Sequence, residues 1–211
     1  MLFRSLGIDW YSSHFPPTVE NPRFLTGEAS PTYLLDLDTI PRVWQHFPKV
    51  KLLVIFRNPV DRAISQYYDH YNWLGREKRS LEEAIASEIE VLNHLDDPTS
   101  IGIHSPFWKT QKGHLWRGLY VYFIEKWLDV FPREQFLILK SEDLYTHPQP
   151  TMERVFQFLE LPSHTLQNYQ QYTAGSYSNI HPDIRDQISD FFKPHNQRLA
   201  EVLGDEFNWN N

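Results

Sequence analysis

The 211-residue chain contains no cysteine, which excludes disulfides and thiolate metal sites and leaves the redox compartment unread. Nor does it hold a run of about 18 apolar residues, the length that crosses a bilayer as a helix. Positive charge is also short: 20 Lys and Arg against 27 Asp and Glu give a net charge of −7. That balance argues against a general nucleic-acid or anionic-membrane binder, so any anion site has to be a local basic pocket within an acidic surface. The opening Met1-Leu2-Phe3-Arg4-Ser5-Leu6 is too short for a signal peptide, and a soluble cytoplasmic protein is the expectation. What the chain has in quantity is aromatic residues, 15% of the total with seven Trp and fourteen Phe. With 41% hydrophobic content, residues 1–211 are expected to form one domain with a sizeable core.

The informative stretch is Lys51 to His70. Leu52 to Phe56 is a continuous apolar run, too short for a buried helix, and predicts a strand buried on both faces. The period then becomes helical, with apolar residues at Val60, Ala63, Ile64, Tyr67, Tyr68 and Tyr71, Asn58 as N-cap and Pro59 in the first position. Strand, tight turn and helix make half of a βαβ unit. The unpaired N–H groups and positive dipole end of such a helix suit an anion. Arg57 can grip phosphate oxygens with two hydrogen bonds, and Ser65, two turns in on the side of Asp61 and Arg62, can complete the cradle. The alternative is purely structural, with the turn capping the helix and Arg57 pairing with Asp61.

Other stretches place the remaining elements. Asp38 is expected to cap a short helix through His46, and Ser80 with Glu83 to form a capping box for a helix from Leu81 to about Leu95. Residues 96–112 suggest a long exposed loop in which His104, Phe107, Trp108 and Lys109 are candidates for substrate contact. From Gly113 helical spacing resumes through Trp116, Tyr120, Trp127 and Val130. Phe136–Leu139 predicts a second buried strand, residues 151–159 a helix, and 182–192 another. The expected fold is a three-layer α/β domain with a short parallel sheet flanked by helices. His14 has a ring suited to proton transfer, but a surface or packed histidine is the preferred reading because nothing local orients the ring.

Arg57-Asn58-Pro59 with Ser65 eight positions after the arginine resembles the sulfotransferase family that uses 3′-phosphoadenosine 5′-phosphosulfate. In that family the arginine and serine hold the 3′-phosphate. Gly7-Ile8-Asp9-Trp10-Tyr11 with Phe15-Pro16, and Gly27-Glu28-Ala29-Ser30-Pro31-Thr32-Tyr33, are similar to segments of its heparan-sulfate-type, N-deacetylase/N-sulfotransferase-like branch. Ala29 stands where that branch carries a lysine facing the acceptor, and Glu28 is expected to order the turn. In the segment Gly175-Ser176-Tyr177, Gly175 and Tyr177 match a loop that folds over the adenosine end in that family and often reads Lys-Gly-Arg-x-Tyr. With Ala174 and Ser176 replacing the basic residues, contacts there would rest on backbone N–H groups and hydroxyls.

The resemblance implies a P-loop nucleotide-kinase-like fold, 3′-phosphoadenosine 5′-phosphosulfate as co-substrate, no metal, and a small-molecule or glycan acceptor rather than nucleic acid. It also implies an amino-terminal Lys-x-Gly-Thr-Thr-type loop for the phosphosulfate, and no such sequence occurs in residues 1–211. The expectation is therefore an amino-terminally truncated domain, roughly four-fifths of one of ordinary size, with no catalytic residue assignable and no turnover by this chain alone. A degenerate, non-catalytic binder of 3′-phosphoadenosine nucleotides is the alternative. An unrelated kinase would need a glycine-rich phosphate loop, which is absent. Without a first strand, apolar sheet surface is expected to lie uncovered, to be hidden by a homodimer, a swapped element or a rearranged amino terminus.

Overall fold

The computed structural model describes residues 7–15, 25–107, 112–165, 168–169 and 180–210. Its centre is a pair of parallel strands, β1 (Leu52–Phe56) and β2 (Phe136–Lys140), with Leu52 opposite Phe136 and Phe56 opposite Lys140. Parallel pairing requires a long crossover, and here it carries α3 (Pro59–Tyr68), α4 (Leu81–Leu92) and α5 (Tyr120–Leu128). Before the sheet come α1 (Gly7–Ser12) and α2 (Thr39–His46); after it come α6 (Ser141–Thr146), α7 (Pro148–Phe158) and α8 (Pro182–Leu203). The α/β architecture with helices flanking a short parallel sheet agrees with the sequence reading.

Two apolar clusters hold these layers together. One joins Val60, Ala63 and Ile64 of α3 to Ile85 of α4, Trp116, Phe123 and Phe192. The other packs Phe56 and Ile138 of the sheet against Ile124 and Trp127 of α5, Phe131, Leu199 and Phe207. The expectation that β1 is buried on both faces does not hold. Leu53 and Ile55 are 42% and 54% exposed, while Leu139, beside Ile55 in the register, is 2% exposed. The reason is coverage: α7 packs on β2 and leaves that face of β1 open, as the expectation of uncovered sheet surface requires.

Local rules account for several helix ends. Asn58 Oδ1 accepts from the N–H groups of Val60 (2.9 Å) and Asp61 (3.3 Å). Ser80 and Glu83 form both bonds of the capping box. Asp38 makes no side-chain cap bond. α8 runs through Pro194 to Leu203 rather than stopping at Phe192, because Asn196, Leu199 and Ala200 beyond the proline are buried and their packing outweighs one lost ladder bond.

The helix expected from Gly113 begins only at Tyr120, after a 3-10 turn at Trp116–Gly118. The buried carboxylate of Glu88 is the cause. Its Oε2 accepts from His114 N (2.8 Å), and its Oε1 accepts from Leu115 N (3.0 Å) and Trp116 N (2.9 Å). N–H groups bound to a side chain in this way are taken from the helical ladder. Nor are residues 96–107 simply an exposed loop: Pro98 and Thr99 are buried, and the Trp116 indole N–H donates to the Pro98 carbonyl at 2.7 Å.

Candidate functional site

A cavity of about 2260 Å³ opens along the uncovered face of β1. Its wall includes Leu53 and Ile55 of the strand, the 25–35 segment with Glu28 and Tyr33, and Arg57, Arg62, Gln66, Asp69, His70 and Arg117. Ligand pockets commonly measure about 300–1,000 Å³, and this space is larger than one such pocket.

Arg57 follows the last residue of β1 and is half-buried on that wall. Two contacts fix the turn that carries it. The Tyr120 hydroxyl donates to the Arg57 carbonyl at 3.0 Å, and the Asn58 N–H donates to Glu142 Oε1 at 2.6 Å. Nothing in the sequence around Glu142 marks it as the residue that pins this turn. Asp61 pairs with Arg185 of α8 at 2.5 Å, not with Arg57, so the structural alternative for Arg57 loses its partner.

The helix terminus differs from the expectation in one respect. Pro59 has no N–H, Val60 and Asp61 donate to the Asn58 side chain, and Arg62 N donates to the Asn58 carbonyl at 2.9 Å. The N–H groups foreseen as a cradle are thus already bound, so only side chains and the helix dipole remain at this turn to attract an anion. Ser65 is half-buried on α3 between Arg62 and Asp69; it is not among the residues lining the cavity, although Arg62, Gln66 and Asp69 around it are. Gly175, Ser176 and Tyr177 lie outside the described residues.

Glu28 takes the ordering role expected of it. Its Oε1 accepts from the hydroxyls of both Tyr11 (2.8 Å) and Tyr33, tying α1 to the 30–35 turn. Burial first, and then the bond to Glu28, push both phenols well above their ordinary pKa. His14 is exposed, bonds the Trp10 carbonyl at 2.8 Å and is absent from the cavity wall. His104 stands 3.6 Å from Asp36, and neither it nor Phe107 lines the cavity; Trp108 and Lys109 lie outside the described residues.

Sequence reasoning missed Arg62, His70 and Arg117. α3 ends in a π-helical turn, Asp69–Trp73, a widened geometry frequent at functional sites, and Asp69 and His70 of that turn line the cavity. Among the described residues no group of His, Asp or Glu is arranged to hold a metal ion, and no helix is long and apolar enough to cross a membrane.

Comparison with known proteins settles the family, since the model of the sulfotransferase domain matches residues 4–196. The chain belongs to the sulfotransferase domain family. This sulfotransferase-domain chain is 25% identical to the membrane-associated sulfotransferase kil1 of Dictyostelium discoideum, over 97% of its own length and 58% of that protein. It is 27% identical to heparan sulfate glucosamine 3-O-sulfotransferase 5 of Mus musculus, over 96% of its own length and 61% of that protein. A solved sulfotransferase from Alicyclobacillus acidocaldarius superposes with a TM-score of 0.68 at 29% identity, covering 92% of this chain and 70% of that one. The chain thus spans about three-fifths of the length of those two curated relatives.

Proposed function

We propose that this chain binds 3′-phosphoadenosine 5′-phosphosulfate in the cavity beside β1 and belongs to a protein that passes the sulfuryl group to a hydroxyl or amine acceptor. The acceptor oxygen or nitrogen attacks sulfur in line, the bond from sulfur to the 5′-phosphate oxygen breaks, and the acceptor proton leaves to a base. The products are the sulfated acceptor and 3′-phosphoadenosine 5′-phosphate. Alignment of the reactants and electrostatic stabilisation of the departing phosphate supply most of the acceleration. The printed names of relatives include heparan sulfate and carbohydrate sulfotransferases, which supports a glycan acceptor.

The observation carrying this reading is the state of Arg57. Its guanidinium lines the cavity at the carboxyl end of the strand, and the acid expected to neutralise it is held by Arg185. Arg57 grips the 3′-phosphate, with the Ser65 hydroxyl on the adjoining helix as its second contact. By the same resemblance Gly175, Ser176 and Tyr177 supply contacts to the adenosine end. Residues 1–211 act as one domain that holds the nucleotide without a Lys-x-Gly-Thr-Thr loop, so this chain alone binds and does not turn over. A second copy of the chain closes the open side of that cavity along Leu53 and Ile55.

Calorimetry with 3′-phosphoadenosine 5′-phosphate tests the assignment. Binding is expected in the wild type and lost in Arg57→Ala; equal affinity in the two proteins would overturn it. Sulfation of any phenol or amino sugar by residues 1–211 would refute the claim that this chain does not turn over.

A further inference from the structure

Part of the cavity wall differs in character from the surroundings of Arg57: it is aromatic and acidic. Tyr11, Phe15, Glu28, Tyr33 and Phe47 line it. The Tyr11 ring lies 4.9 Å from that of Phe15 and 6.1 Å from that of Phe47, centroid to centroid, at interplanar angles of 58° and 53°. Rings tilted in this way do not cap one another's faces, and an uncovered face presents the negative side of the ring quadrupole. The same wall offers apolar surface for a hydrocarbon stem, since Leu25 and Phe47 are 57% and 37% exposed.

Glu28 brings a carboxylate to these rings. Both tyrosine hydroxyls donate to its Oε1, while its Oε2 accepts no bond among the described residues and the residue is exposed. Burial first, and then Glu28 itself, holds both phenols far above their ordinary pKa, so they remain protonated donors. Hydroxyls fix a carboxylate in place without neutralising it. Lys51 is taken by Glu160 at 2.7 Å, and Arg42 and Lys49, which also line the cavity, form no ion pair with Glu28 among the described residues. Ala29, next in the chain, carries no charge. An open carboxylate oxygen beside uncovered ring faces suits a cation that has N–H donors and an apolar stem.

We propose that Glu28, with Tyr11, Phe15, Tyr33 and Phe47, forms a subsite for a primary organic ammonium group carried by the acceptor. The word acceptor rests on the sulfotransferase reading; binding of the ammonium group does not. The ammonium donates to Glu28 Oε2 and lies against the rings. While protonated, its nitrogen has no lone pair with which to attack sulfur. It is therefore a handle, and it orients a different hydroxyl or amine of the same molecule for transfer.

The test is a ligand-observed proton NMR titration of the full chain at pH 7 and constant ionic strength, with butylammonium and with 1-butanol, which has the same size and no charge. Butylammonium should bind about fivefold more tightly than 1-butanol, and the rings should move its α-methylene resonance upfield. Glu28→Gln keeps an oxygen for both tyrosine hydroxyls but removes the charge, and should lose the preference for the amine. Asp69→Asn neutralises the other acid among the described lining residues and should keep it. Phe47→Leu leaves Glu28 and its two bonds in place but removes a ring face, and should weaken amine binding and reduce the upfield shift. Equal affinity for amine and alcohol in the wild type, a preference that survives Glu28→Gln or disappears in Asp69→Asn, or an unaltered amine response in Phe47→Leu would each overturn the subsite.

A second arm addresses the acceptor. Butylammonium and 3′-phosphoadenosine 5′-phosphate should occupy the chain together, neither displacing the other. Competition between them would overturn the acceptor assignment. Nucleotide binding is read separately through Arg57→Ala, so failure of the transferase reading leaves the ammonium result standing and visible.

Discussion

Replacing Gly118 by alanine tests how the turn proposed to hold the nucleotide is supported. A Cβ at this position would stand 2.7 Å and 2.9 Å from Cζ and Cε1 of Phe192 and 3.2 Å from Cβ of Pro59. The first two distances are well inside van der Waals contact, and Phe192 is fully buried, so its ring cannot swing into solvent. Either the ring shifts within a packed core or α3 moves away at its first residue, two positions after Arg57. Overpacking of this kind costs about 1–3 kcal/mol. Against it stands the reduced freedom of the unfolded chain, about 0.4–1 kcal/mol in favour of alanine. The steric term wins, leaving a net loss of about 1–2 kcal/mol. For a chain of this length that is a fall of about 2–8 °C in melting temperature. Thermal unfolding followed by circular dichroism reads the loss, and calorimetry with 3′-phosphoadenosine 5′-phosphate reads whether the turn has moved. A Gly118→Ala protein that melts with the wild type and binds the nucleotide equally would show that the contact between α8, the 3-10 turn and α3 is not tight, and would refute the reasoning.

Further measurements follow from the same contacts. Asn58→Ala removes the acceptor for two N–H groups and should cost about 1 kcal/mol, read as a shift in urea midpoint with unchanged m-value; no shift would mean that solvent caps the helix as well. Stability should rise with pH between about 4.5 and 6.5. Burial, opposed for His114 by Glu77, holds His114 and His195 down to about 4, so the unfolded chain binds more protons there and stability is lost as pH falls. Glu88 acts in the opposite sense. Burial raises it to about 7 against its three N–H bonds, so the folded state keeps a proton that the unfolded state sheds, but one group is outweighed by two. His195→Gln should flatten the slope of urea-derived stability against pH; a wild-type slope that is flat or falling over that interval would refute the assignment. For the uncovered strand face, where Ile55 is 54% exposed, Ile55→Lys should shift sedimentation from dimer toward monomer; a wild type that sediments as a monomer at all concentrations would remove the second copy.

What was legible in the residue order is what short-range physics decides. The run Leu52–Phe56, the Asn58 cap with Pro59 and the Ser80–Glu83 box each depend on neighbours within a few positions, and each appears where expected. The failures share a different cause. Glu88 reaches across 26–28 positions to bind three backbone N–H groups, and no window around Gly113 contains that information. The exposure of Leu53 and Ile55 depends on where α7 lies, and an apolar run carries no mark of which face its neighbours will cover. The place of Arg57 at the end of β1 could be anticipated because it follows a strand and precedes a cap. Arg117 and His70 could not, because a cation beside a core helix and a histidine after Tyr67-Tyr68-Asp69 have ordinary solvent-facing explanations until the cavity is seen.

The asparagine that seals the first turn of α3 separates anchorage from architecture. Were that helix to rely on a bound phosphate to satisfy its opening amides, losing the nucleotide would weaken the scaffold as well. Here the Asn58 side chain satisfies two of those amides itself, so the proposed loss of nucleotide binding on replacing Arg57 would leave the helix end closed.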